Sequence, residues 1–239
     1  MHTQDIEYRD GDVLCRGYVA YQEGGARRPG VLVVPEAFGL DEHALGRARQ
    51  LAELGYVGFA VDMYGGRRTT NNLPEAMELM GPLRSDPAKL RQRAGAALAT
   101  MSAMAQVDAA KLGGIGFCFG GTTVIELARD GRALAGVASF HGGLETTAPA
   151  QPGKVKASIL VLTGAEDPLI PPAQVMAFED EMRNAKADWQ VVSYGNAVHS
   201  FTNPAADGSM MPGIKYDAAA DKRSWAAMRA FFDEVFGRA

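Results

Sequence analysis

Residues 112–121 read LGGIGFCFGG, and how this stretch folds decides how the rest of the chain is read. Leu112 to Phe117 is a short apolar run rich in glycine, as in a strand buried on both faces, and helical periodicity follows from about residue 119 to 129. Gly116-Phe117-Cys118-Phe119-Gly120 therefore falls on a strand-to-helix turn. It has the spacing of a nucleophile elbow with cysteine in the place usually held by serine. That turn strains the backbone of its central residue, and small residues two before and two after it avoid clashes between strand and helix. A cysteine so placed lies at a helix N-terminus, where free amides and the dipole favour an anionic sulfur. A structural cysteine in a glycine-rich turn would also fit the pentapeptide, so its partners must distinguish the two.

Outward from this turn, apolar runs alternate with helical stretches. VLVVP, YVGFAVD, KLGGIGF, ALAGVASF, SILVLT and WQVVSY read as strands. DEHALGRARQLAELG reads as a helix. Residues from about 74 to 104 read as one or two helices, interrupted near Gly81-Pro82 and Asp86-Pro87, and further helices fall near 173–184 and 218–236. Before all of these, TQDIEY and DVLCRGYVAY form a hairpin around Asp10-Gly11. The pattern predicts an α/β fold: one domain over residues 1–239, a mainly parallel eight-stranded sheet, and helices on both faces. Ligands then bind at the carboxyl ends of the strands.

In this architecture the acid follows a later strand and the histidine comes last. Asp167, in LTGAEDPLIPP, stands directly after the strand at 158–163, with Glu166 as a competing carboxylate, and His199, in SYGNAVHSFTNP, follows the last strand. Cys118, Asp167 and His199 thus occur in the required order at strand ends. They read as nucleophile, orienting acid and general base. His141, in SFHGGL, looks like an oxyanion His-Gly-Gly motif but comes after the nucleophile, so it reads as structural or pocket-lining. His2 and His43 read as exposed, and Cys15 as a packed residue of the hairpin.

Composition narrows the setting. The chain has 239 residues, 47% of them hydrophobic, two cysteines and a formal charge of −4. It has neither a basic-then-apolar leader nor an apolar run near the roughly 20 residues that span a bilayer. Two well-separated cysteines give no disulfide framework and no metal-ligand spacing, which fits a reducing cytoplasm. The basic pairs Arg27-Arg28 and Arg67-Arg68 are too small for a nucleic-acid footprint. The expectation is a cytoplasmic monomer or small homo-oligomer without metal, cofactor, nucleic-acid or membrane partner.

Together GFCFGG, GAEDPLIP, AVHSFTNP and VVPEAFGL resemble the dienelactone hydrolase family, cysteine hydrolases of the α/β-hydrolase fold, from Val31 to the C-terminus. The resemblance implies a hydrolase of a lactone or small ester acting through a cysteinyl thioester, with Cys118, Asp167 and His199 as triad. It also implies that Glu36 contacts the resting cysteine and takes the thiol proton once substrate binds. The amides of Ala37 and Phe119 form the expected oxyanion hole. The founding enzymes grip a substrate carboxylate with two arginines. Here Asn203 stands about where the first would be, and Arg67 or Arg68 is left to supply the second. An asparagine offers no charge, which favours the alternative of a carboxylesterase acting on uncharged esters. Phe38, Tyr64, Phe117, Phe119, His141 and Phe201 either shape the pocket or belong equally to the core or the rim. A rival of another class is a non-catalytic, redox-responsive homologue with Cys118 as oxidation sensor.

Overall fold

The computed structural model describes residues 1–237. Two strands open the chain, β1 (His2–Asp10) and β2 (Val13–Tyr21). They pair antiparallel across the Asp10-Gly11 turn, as the alternation predicts, and Cys15 is fully buried there. β3 (Arg28–Val34), β4 (Val57–Ala60), β5 (Val107–Phe117), β6 (Gly136–Phe140), β7 (Ser158–Gly164) and β8 (Trp189–Tyr194) follow. The eight strands form one sheet in the order β1-β2-β4-β3-β5-β6-β7-β8, parallel from β4 to β8 and antiparallel where β1 and β2 join. This is the α/β-hydrolase topology.

Among the described residues six helices cover the sheet: α1 (Glu42–Glu53), α2 (Leu73–Arg84), α3 (Pro87–Ser102), α4 (Phe119–Arg129), α5 (Pro172–Ala185) and α6 (Ala218–Val235). Strand side chains alternate between faces, so neighbours enter different cores. Val31, Val33, Ile115 and Phe117 pack under α1 and α6, with Ala48, Leu51, Met228 and Phe232. Leu32 and Val34 pack under α2 to α5, with Met80, Leu90, Ile125 and Phe178. None of these helices is long and apolar enough to cross a membrane.

One expected break is absent. Gly81-Pro82 does not interrupt α2, which carries Pro82 inside it and continues to Arg84. Proline removes one helical hydrogen bond, but Met80 and Leu83 on either side are buried, and the Ser85 amide still closes the last turn on the Gly81 carbonyl. Tertiary packing outweighs the local penalty. The break at Asp86-Pro87 is real: Asp86 caps α3 by accepting from the Lys89 amide.

Candidate active site

The turn between β5 and α4 has the strain its sequence predicts. Cys118 lies at φ 50°, ψ −114°, in a region that costs a non-glycine residue roughly 1–3 kcal/mol. A Cβ on Gly116 would come within 1.9 Å of the Gly120 carbonyl oxygen, and one on Gly120 within 2.0 Å of the Val34 carbonyl oxygen. The glycines thus allow β3, β5 and α4 to meet where the cysteine is presented. The Cys118 amide donates to the Phe140 carbonyl at 3.0 Å and to His141 Nδ1 at 3.1 Å.

His141 is therefore structural. It is fully buried behind the elbow at φ 42°, and its Nε2 pairs with Thr202 Oγ1 at 2.8 Å. Because Nδ1 accepts from the amide, Nε2 carries the proton. Burial above all, then the charges of His199, His43 and Arg47, holds its pKa well below the ordinary value. The ring is a neutral brace.

Asp167 and His199 meet as the reading requires. Asp167 follows β7 and His199 follows β8, and His199 Nδ1 lies 2.8 Å from Asp167 Oδ2 in a buried pair. The second carboxylate oxygen accepts from the Leu169 amide at 2.8 Å, which fixes its orientation. His199 Nε2 is buried and, among the described residues, has no hydrogen-bond partner. Burial opposes charge on this ring, but Cys118 and Asp167 outweigh it and raise the His199 pKa well above the ordinary value. The imidazolium is the favoured form beside the sulfur. The competing carboxylate, Glu166, is exposed and takes no part.

Two backbone amides flank the cysteine. Among the described residues, neither the Ala37 amide, after β3, nor the Phe119 amide, first in α4, has a hydrogen-bond acceptor. Tyr64 stacks on Phe119 and donates its hydroxyl to the Ala37 carbonyl at 2.7 Å, steadying that loop. Tyr64 is itself held by Asp62, whose carboxylate accepts from the amides of Arg16, Tyr64, Gly65 and Arg67.

A cavity of about 600 Å³ is lined, among others, by Glu36, Phe38, Asp41, Ser200, Asn203 and Met210, the first two flanking Ala37 and Ser200 following His199 in the chain. The loop from Asp207 to Ile214 forms one wall, clipped to His199 by backbone hydrogen bonds from His199 to Gly213 and from Lys215 to His199. Glu36 is buried, accepting from Ser200 Oγ at 2.6 Å and from Asn203 Nδ2 at 2.5 Å. Burial is the largest influence on its carboxyl and raises the pKa, against the pull of these two donors and of His199.

The structure bears on four sequence expectations. Arg67 pairs its guanidinium with Asp5 on β1 and Arg68 pairs with Glu75, and among the described residues no arginine lines the cavity. Asn203 lines the cavity, but its amide is directed to Glu36 rather than left free for a ligand. Of the two readings left open for Phe117 and Phe201, the structure gives the core one. His43 is not exposed; its side chain is 6% accessible. Sequence reading also missed Ser200. Its only signal is a polar residue next to the histidine, because its partner lies 164 positions away.

The chain matches the dienelactone hydrolase family over residues 15–236. It is 45% identical to the solved structure of m3DLH, with a TM-score of 0.93 and 98% of each chain covered. It is 43% identical, at the same TM-score and coverage, to a crystal structure described as a dienelactone hydrolase-like promiscuous phosphotriesterase from metagenomic libraries. A protein of Methylorubrum extorquens, whose name carries carboxymethylenebutenolidase as an inferred activity, is 31% identical over 222 residues, 85% of this chain and 76% of its own.

Proposed function

The chain belongs to the dienelactone hydrolase family, and from the His199–Asp167 pair assembled beside Cys118 we propose that it hydrolyses an uncharged ester or lactone through a cysteinyl thioester. The Cys118 sulfur attacks the carbonyl carbon, and the amides of Ala37 and Phe119 receive the negative charge that develops on the carbonyl oxygen. His199 Nε2 gives its proton to the leaving alkoxide. It then takes one from water, which attacks the thioester and releases the acid and the cysteine sulfur. Asp167 keeps the ring oriented with Nε2 toward the reacting atoms. Glu36, by family likeness, accepts the thiol proton when substrate arrives. An oxidation sensor has no use for a buried His–Asp pair, which favours the hydrolase over the redox-responsive alternative.

Preference for uncharged substrates rests on the cavity lining. It contains Glu36, Asp41 and Asp207 and no lysine or arginine. A substrate carboxylate about 8 Å from one such charge is repelled by about 2 kcal/mol at an effective dielectric of 20, a factor of some 30. Turnover of a short p-nitrophenyl ester, a neutral lactone, a neutral phosphotriester and a carboxylate-bearing dienelactone tests this. The neutral carboxylic substrates are expected to exceed the dienelactone in kcat/KM by at least tenfold. A dienelactone turned over best would return the protein to carboxylate recognition, and no turnover of any of the four would remove the hydrolase reading.

The orienting role of Asp167 has its own consequence. Asp167→Asn keeps the shape but offers an N–H to His199 Nδ1, so the ring turns to the wrong tautomer. The expected loss is about 10³–10⁴-fold in kcat with little change in KM. A loss under tenfold would show that His199 needs no orienting carboxylate.

A further inference from the structure

His43 stands in the first turn of α1, with its ring edge-on against Phe117 at 4.7 Å between centroids. Arg47, one turn later, directs its Nε toward His43 Nε2 at 3.4 Å. A guanidinium only donates, so Nε2 is the acceptor and the ring proton resides on Nδ1. Arg47 is held in turn by Asp221 at 2.6 Å, by the Thr202 carbonyl at 2.8 Å, and by the ring faces of Phe117 and Trp225. The tautomer of His43 is thereby set from outside the site.

The consequence is a buried donor without an acceptor. Among the described residues His43 Nδ1 has no hydrogen-bond partner, and an N–H left so in the interior is unfavourable. The facing atom is Glu36 Oε2, 3.9 Å away, which already accepts from Asn203. That separation is about 1 Å longer than a hydrogen bond, and Oε2 has a second lone pair to offer. We propose that His43 is a positioning residue for Glu36, its Nδ1–H serving, beside Ser200 and Asn203, as the third donor that receives the ionised carboxylate and determines where it rests. The consequence for turnover, though not the contact itself, rests on the reading of Glu36 as acceptor of the Cys118 proton.

The charged and titratable groups around Glu36 are few. Asp41, from the cap of α1, disfavours its ionisation; His199, from the segment after β8, favours it, and Ser200 and Asn203 of that segment donate to it. Arg47 stands behind His43, and the neutral state of that ring follows from burial first and then from Arg47, which together outweigh the opposing pull of the Thr202 backbone and push its pKa down to about 3. His43 thus acts as a neutral donor throughout the working range. A donor to the carboxylate favours its charged form, so removing the donor moves the Glu36 titration upward.

The experiment is a pH titration of the full chain with ¹³C-labelled glutamate side-chain carboxyls, the Glu36 signal being assigned by its loss in Glu36→Gln. In His43→Leu the Glu36 midpoint is expected to rise by about 0.5–1 pH unit, and His43→Asn, whose amide N–H replaces Nδ1–H, restores it to within about 0.2. The acid limb of kcat/KM is expected to move by the same amount. An unmoved midpoint in His43→Leu, or a His43→Asn that behaves like His43→Leu, overturns the proposal. Where His43→Leu does not fold, His43→Phe, which keeps a ring against Phe117, carries the comparison. If the wild-type chain hydrolyses none of the four test substrates, the hydrolase reading fails while the titration still decides about His43.

Discussion

Cys118→Ala is expected to lower kcat/KM for the preferred ester by at least about 10⁴-fold, some 5.5 kcal/mol of transition-state stabilisation, without lowering the thermal midpoint. The size follows from the division of labour at the site. Without the sulfur no thioester forms, and the remaining apparatus, the two amides at Ala37 and Phe119 and the His199–Asp167 pair, is left only to help water attack directly. Stability is spared because the strain at φ 50° is borne by either side chain and Cys118 itself is only partly buried. Wild-type enzyme mixed with a p-nitrophenyl ester should show a burst of one p-nitrophenol per active chain if deacylation is the slower step. The acyl mass should appear on the peptide containing Cys118. Turnover that survives the substitution would move the nucleophile elsewhere.

Gly120→Ala is the second large effect, and it acts on the fold before it acts on chemistry. Its added methyl would lie 2.0 Å from the Val34 carbonyl oxygen and 2.7 Å from that of Pro35, separations that only movement of the backbone can relieve. The atoms that must yield belong to the end of β3, which leads to Glu36 and Ala37. Overpacking of this kind costs about 1–3 kcal/mol or more. At 2–4 °C per kcal/mol for a chain of this length, a fall of about 2–12 °C in the thermal midpoint is expected, with activity lost together with it. Gly46→Ala on α1 is the control. It meets only an Arg49 nitrogen at 3.7 Å, so the helix gains about 0.5–1 kcal/mol and the midpoint rises slightly. Equal midpoints for the two variants would show that the elbow tolerates a side chain after all.

Much of the site was legible because it is written in local pattern. The elbow needs glycines at fixed offsets from Cys118, and that requirement is visible within five residues. Asp167 and His199 each follow a recognisable apolar strand, so their chain order and strand-end positions suffice to pair them. His43 was misread for a related reason: a histidine in the first turn of a helix, among Glu42, Arg47 and Arg49, looks solvated when only its neighbours are considered. Its burial comes from Phe117 on β5 and the segment after His199, which helical periodicity does not show. The same holds for Arg67, whose direction is decided by Asp5 across the sheet edge.

By itself, then, the chain determined its element order, the sheet with helices on both faces, and the strand-end positions of Cys118, Asp167 and His199, since periodicity, glycine spacing and order along the chain are local properties. Tertiary structure alone decided which neutral donors hold Glu36, that the Asn203 amide is directed at that carboxylate, and that the cavity carries acidic groups without an arginine. These depend on contacts such as Ser200 with Glu36 and Asn203 with Glu36, 164 and 167 positions apart. No local pattern encodes them, because burial and hydrogen-bond geometry exist only after the strands have brought such distant residues to the same end of the sheet.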